Sequence, residues 1–347
     1  MDRVTCRHHL CGALLALAVS SIALGAQATL LTQADDQSDQ AINRAIKKDP
    51  AWRASHHEIR SLTVGQPGAV NNYCLNGDGN LLVCIGDQSG RGEIRTFTPV
   101  GRQVGTWKLP IKPGAICVQP DGTIFVGGDG LILKLNSQGQ ILGKGALPSQ
   151  NLSQASKEVR QYLAQAGREV TGIAVSAMDV FVAALSPSDY TYVVYRLSKD
   201  LKAPKLIVKG LNGCCGQMDI QAHNGDLWVA HNARHLVERY DRTGKKLFSF
   251  GQYDRKAASG FGGCCEPKNL RFVGNVLYAA ESGPPTAIKR FSLTGKFLGV
   301  VALPEFKTGC VRVTTEISKD GSTFFMLDAD GGQIHVMAPN KRSGTLP

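Results

Sequence analysis

The chain has 347 residues, 43% of them hydrophobic and 39 of them glycine, which suffices for a large core or two domains and excludes disorder over its main body. A formal charge of +11 predicts attraction to acidic surfaces such as anionic lipid or acidic glycans. No Lys/Arg run exceeds two residues and no aromatic–basic interleaving is present, so specific nucleic-acid binding is not expected.

The N-terminus has the marks of a targeting segment. Arg3 and Arg7 make a weakly basic start, Ala13 to Leu24 is an apolar run too short to span a bilayer comfortably, and Ala26-Gln27-Ala28 is a small-x-small cleavage site. Residues 1–28 are therefore expected to be a secretory signal peptide. The mature protein would be periplasmic or extracellular, with no transmembrane segment. Residues 29–55 are polar and are expected to form a tether or short helix outside the main domain. His57 to Val64 then alternates like a strand.

From there the chain repeats. A short turn precedes a hydrophobic strand six times: Asp78-Gly79, Asp121-Gly122, Met178-Asp179, Asn224-Gly225, Val273-Gly274 and Asp320-Gly321, spaced roughly 43 to 57 residues apart. An apolar segment comes before each turn. After the hydrophobic strand an alternating strand follows (Leu236–Tyr240, Ile288–Phe291), then in most units a Gly turn and a fourth strand. Four antiparallel strands per unit, joined by tight turns, predict an all-β fold: a six-bladed β-propeller over residues 56–340, with a tail at 341–347. The sixth unit runs out after its third strand, Gln333 to Met337. The early strand His57–Val64 is expected to supply the fourth and close the ring, since an open sheet edge invites association. One helical insertion is predicted at about 149–167, where Leu152, Ala155, Val159, Tyr162, Leu163 and Ala166 fall at helical spacing.

The runs NGDLWVAHNARHLVERYDRTGKKLFSFG and VGNVLYAAESGPPTAIKRFSLTGKFLGVVALP resemble NHL-type propeller blades of exported bacterial proteins. The resemblance implies the fold. It leaves function open, because NHL propellers serve as binding scaffolds, lyases and hydrolases.

Two stretches carry unusual chemistry: Gly213-Cys214-Cys215-Gly216 and Gly263-Cys264-Cys265-Glu266. Blade connectivity puts both in the link into a blade, and Cys310 occupies the same link one blade later. Five sulfurs from three consecutive blades are thus expected on one face, near the axis. They could be structural disulfides, vicinal rings forming a rigid platform under a ligand, or a thiolate metal or redox site. Zinc usually draws on Cys-x₂-Cys spacing, and adjacent cysteines turn two sulfurs to one ion less easily. Cys74 and Cys84 flank one turn, where a cross-strand disulfide is conceivable, while Cys117 is expected to be a buried free thiol.

The ends of the second strands fall on the same face: Asp129, Asn232 with His231 beside it, Glu281 and Asp328. Such an oxygen-rich ring could hold Ca²⁺ or another divalent metal. It resembles the metal-bearing mouth of lactonase and lyase propellers. Alternatively, these groups cap strand ends and pair with Arg234, Lys289 or Arg290. The leading expectation is a scaffold binding a protein, glycan or small ligand at the cysteine-bearing face (Cys214, Cys215, Cys264, Cys265, Cys310, Asn232, Glu281). One alternative is a metal-dependent lyase or lactone hydrolase, with Asp129, Asn232, Glu281 and Asp328 as ligands and His231 as acid/base. Another is a periplasmic redox accessory using the paired cysteines.

Overall fold

The structure is a computed structural model, and it describes residues 48–86, 92–148, 169–186, 188–306 and 309–341, with scattered positions at 42–46 and 156–161. The expected signal peptide, residues 1–28, lies outside the described residues, as does most of the 149–167 insertion, of which positions 157, 158, 160 and 161 are helical.

Six four-stranded antiparallel sheets make up the described chain. Blade 1 is β2 (Val70–Leu75), β3 (Leu81–Gly86), β4 (Gly92–Phe97) and β5 (Gln103–Leu109). Blade 2 is β6 (Ala115–Val118), β7 (Ile124–Gly128), β8 (Leu131–Leu135) and β9 (Ile141–Ala146). Blade 3 is β10 (Val170–Val175), β11 (Asp179–Leu185), β12 (Tyr192–Ser198) and β13 (Lys205–Leu211). Blade 4 is β14 (Ile220–His223), β15 (Asp226–His231), β16 (Leu236–Tyr240) and β17 (Lys246–Phe250). Blade 5 is β18 (Asn269–Val273), β19 (Val276–Glu281), β20 (Ala287–Ser292) and β21 (Phe297–Ala302). Blade 6 joins β22 (Val313–Ile317), β23 (Phe324–Asp328) and β24 (Gln333–Pro339) to β1 (His56–Thr63) from the other end of the chain. The β1–β24 ladder runs from His56 opposite Pro339 to Thr63 opposite Gln333, so the ring closes through hydrogen bonds between the two ends.

Burial explains the strand sequences. The second strands β3, β7 and β11 are buried at every residue and read as continuous apolar runs. The outermost β9 alternates between exposed and half-buried positions. A separate apolar cluster fills each contact between neighbouring blades: Phe181, Val194 and Ile220 between blades 3 and 4, and Trp228, Leu270 and Phe291 between blades 4 and 5. Six such seams, rather than one central core, hold the ring. The first strands β2, β6, β10, β14, β18 and β22 touch in sequence around the axis.

One expectation changes. Cys74 and Cys84 do not face one another, because the turn is centred on Asp78: Cys74 lies opposite Leu82, and Cys84 opposite Asn72. Both are free and buried, and burial pushes their thiols well above the ordinary range. The polar N-terminal segment packs against the ring over its last residues. Ile46 and Trp52 are buried against Ala258, Ala287 and Val300 of blade 5, and the Trp52 indole N–H donates to Lys256 O at 2.8 Å.

Candidate functional site

The link into blade 4 is a tight turn. Gln217 N–H donates to Cys214 O at 3.3 Å, and both central residues, Cys215 (φ 59°) and Gly216 (φ 62°), are left-handed. Gly216 adopts this freely; Cys215 adopts it at a cost. Asn232, wholly buried at the end of β15, holds the turn from both sides: its Oδ1 accepts from Cys214 N–H (3.2 Å) and its Nδ2 donates to Gln217 O (2.7 Å). Gln217 then reaches past blade 5 to blade 6, where it donates to Val313 O (2.6 Å) and accepts from Val313 N–H (3.2 Å). Arg312 pairs with Glu169 at 3.3 Å, joining blades 6 and 3.

The link into blade 5, residues 251–268, is longer and more heavily anchored. Glu281 Oε2 accepts from Gly262 N–H at 3.0 Å, while its Oε1 lies 2.5 Å from Lys289 Nζ. Lys289, fully buried, also donates to Gly260 O (2.7 Å) and sits 4.6 Å above the Trp52 ring. Glu266 Oε1 accepts from Ser282 N–H (3.0 Å) and Gly283 N–H (2.8 Å). The Ser282 hydroxyl lies 2.9 Å from that same oxygen and 2.8 Å from Gly309 O, next to Cys310. The three cysteine-bearing links are thereby tied to the ends of β15 and β19.

This geometry gathers the sulfurs. The Sγ atoms of Cys214, Cys215, Cys265 and Cys310 all lie within 4.8 Å of one another. Cys214 and Cys215 are 3.4 Å apart, and Cys215 and Cys265 3.5 Å, so neither pair is at bonding distance. Cys265 is buried, Cys214, Cys215 and Cys310 are half-buried, and Cys264 is exposed. Lys268, with no exposed surface, donates to Cys265 Sγ at 2.9 Å and Cys215 Sγ at 3.3 Å. Burial alone would lower its pKa, but Glu266 and these sulfurs pull it upward.

The thiols do not ionise alike. The hydrogen bond from Cys215 draws Cys214 down to about 3, and contact with Cys214 draws Cys264 down to about 6. Cys215 and Cys265 are pushed up, foremost by their bonds with Cys214. Burial pushes Glu266 up to about 8 against the pull of Lys268, and its Oε2 has no partner. Sulfurs this close resist carrying several negative charges together unless a cation shares the space.

The residues expected to form an axial metal ring have other partners. Asp129 Oδ2 accepts from Lys112 N–H (2.9 Å), in the link into blade 2, and Asp328 Oδ1 accepts from Gly331 N–H (3.0 Å). With Asn232 and Glu281, three of the four hold the backbone of the link into their own blade. Among the described residues, the group of His, Cys, Asp and Glu ligand atoms drawn within 4.8 Å of one another consists of cysteines alone. His231 is buried with both ring nitrogens engaged. Nε2 faces Asn212 N–H at 2.9 Å, which leaves the proton on Nδ1, 2.9 Å from Glu238 Oε2. Lys268 and Trp52 carried no sign in the sequence beyond their residue types; Lys268 stands out only as a lysine three residues after a Cys-Cys pair.

Comparison with known proteins places the architecture and nothing finer. No family profile and no curated protein sequence matches the chain. Among solved structures it is similar to a Bacteroides thetaiotaomicron protein of unknown function (TM-score 0.57, 9% identity, 83% of this chain and 75% of that one). It is also similar to the WD40 domain of Neurospora crassa Pan2 (0.54, 9%, 85% and 99%). A third similar structure is a Xanthomonas campestris gluconolactonase (0.54, 13%, 81% and 90%). At these identities the likeness concerns the fold, a β-propeller.

Proposed function

We infer that this chain is an exported binding propeller whose ligand is taken at the cysteine-bearing face, with Cys214, Cys215, Cys265 and Cys310 as the contact groups. The observation that carries this is the gathering of four unjoined sulfurs, from the links into blades 4, 5 and 6, within 4.8 Å of one another. Their partial to full burial favours a small ligand over a protein or glycan. Binding is favoured over turnover because the groups a hydrolytic site would use are already consumed: Glu281 is paired with Lys289, and both nitrogens of His231 are bonded. The apolar run and cleavage site at the N-terminus support export.

The test compares the native and denatured masses of protein purified from its own cell type. An adduct present in the native protein and lost in Cys265→Ser, but kept in Cys117→Ser, is the expected result. Identical native and denatured masses, or an adduct that survives Cys265→Ser, would overturn the proposal.

A further inference from the structure

We propose that the ligand of this face is a thiophilic d¹⁰ metal ion, Zn²⁺ or Cu⁺, bound by the sulfurs of Cys214, Cys215, Cys265 and Cys310. This rests on the binding function assigned to the face and adds its chemical class.

The donor set is the first argument. The gathered ligand atoms are all sulfur, and thiolates select Zn²⁺ or Cu⁺ over hard ions such as Ca²⁺ and Mg²⁺, which take oxygen. Spacing is the second. Four sulfurs placed tetrahedrally about 2.3 Å from one zinc lie roughly 3.8 Å from each other. Here two adjacent pairs stand at 3.4 and 3.5 Å, and all four fall within 4.8 Å. The separations need to change by at most about an ångström for the four sulfurs to meet one ion.

The third argument answers the objection that adjacent cysteines turn apart. In an extended chain neighbouring side chains point to opposite sides. Cys215 is instead in the left-handed region, at the second position of a four-residue turn, and this brings its sulfur to the same side as that of Cys214. Asn232 and Gln217 hold the turn in place without touching a sulfur.

Charge is the fourth argument. Four thiolates around Zn²⁺ carry a net charge of −2, and the buried Lys268 ammonium in contact with two of them brings the site to −1. Lysine is thus a positioning group that donates N–H to coordinated sulfur, in the way outer hydrogen bonds orient metal ligands. Binding exchanges S–H for S–metal bonds: each thiol still protonated gives its proton to solvent, and no electron is transferred.

The experiment uses the full mature chain, reduced and stripped of metal, and titrates it anaerobically with Zn²⁺, with Cu⁺ delivered from a competing chelator, and with Ca²⁺. One Zn²⁺ or Cu⁺ should be retained per chain, no Ca²⁺ should be, and Cys215 and Cys265 should become protected from alkylation. Cys215→Ser and Cys265→Ser should each weaken retention by about 100-fold or more, while Cys117→Ser matches the parent; thermal unfolding of each variant confirms that it is folded. Lys268→Met should leave the stoichiometry at one and loosen the ion about 10- to 100-fold. Retention of neither ion by the folded, reduced parent would overturn the proposal, as would equal retention in the two serine variants. A Cys-dependent mass adduct in native protein that contains no metal would overturn this proposal while leaving the binding function standing. No adduct and no retained ion would remove both.

Discussion

Asp219, at the axial end of blade 4, bears a cost that single residues rarely show so plainly. It is buried, accepts from Leu270 N–H at 2.7 Å, and shares Arg271 with Glu316. Burial raises its carboxyl to about 6, against the pull of Arg271. The raised folded value means that the protonated form is favoured in the native state. The stability this contributes is complete below about 3.8 and is lost as pH rises through about 6. The loss is at most about 3 kcal/mol. Asp219→Asn removes the titration and keeps an acceptor for Leu270. Between pH 4 and pH 7 the wild type should therefore lose stability relative to the variant in chemical denaturation. A wild type that instead gains on the variant over that range would show that Arg271 dominates. Cys215 makes a different point about what one residue can reveal. That its sulfur would gather with those of the neighbouring links was legible from blade register. That it would lie 3.4 Å from its neighbour was not, because this depends on one left-handed φ that a Cys-Gly pair permits without requiring.

At the level of elements, the six turn–strand units were legible because each signal is local: a Gly turn, a buried apolar run, an alternating strand. The ends of the second strands were legible as polar positions on the cysteine face, but their role was not. A carboxylate or amide at such an end serves a metal or a backbone N–H equally well. Which it meets is decided by the link, whose path has no periodicity to read. The structure shows Asn232 fastening the turn of blade 4. Asn232→Ala would leave Cys214 N–H and Gln217 C=O buried without partners, a loss of roughly 2–5 kcal/mol. It should also make Cys214 and Cys215 react faster with an alkylating reagent, read by peptide mass spectrometry. Unchanged labelling with lowered stability would mean that the turn keeps its shape through Gln217 and Val313 alone.

For the whole molecule, closure carries the stability argument. β1 contributes Leu62 to the seam shared with Phe325, Leu327 and Ile334, and its ladder to β24 completes blade 6 as its outermost strand. A chain beginning after Thr63 would present β24 as an unpaired edge. We expect it to aggregate on heating where the intact chain unfolds cooperatively, as followed by light scattering during thermal denaturation. Equal, reversible unfolding of the two chains would show that five complete blades and a three-stranded sixth suffice. This closure was legible in the sequence because the sixth unit lacks a fourth strand and an orphan strand precedes the first.

The pairing of His56 with Pro339 brings the two ends of the folded chain side by side, so the order in which the blades are read is arbitrary. A short linker could join residue 340 to residue 55, and new ends could be opened at the exposed turn around Asp78-Gly79 without cutting any link that carries a cysteine. Such a rearranged chain would separate β1 from its position at the start of synthesis while keeping the same ring. It would let the order of blade assembly be varied with the sulfur-bearing mouth held constant.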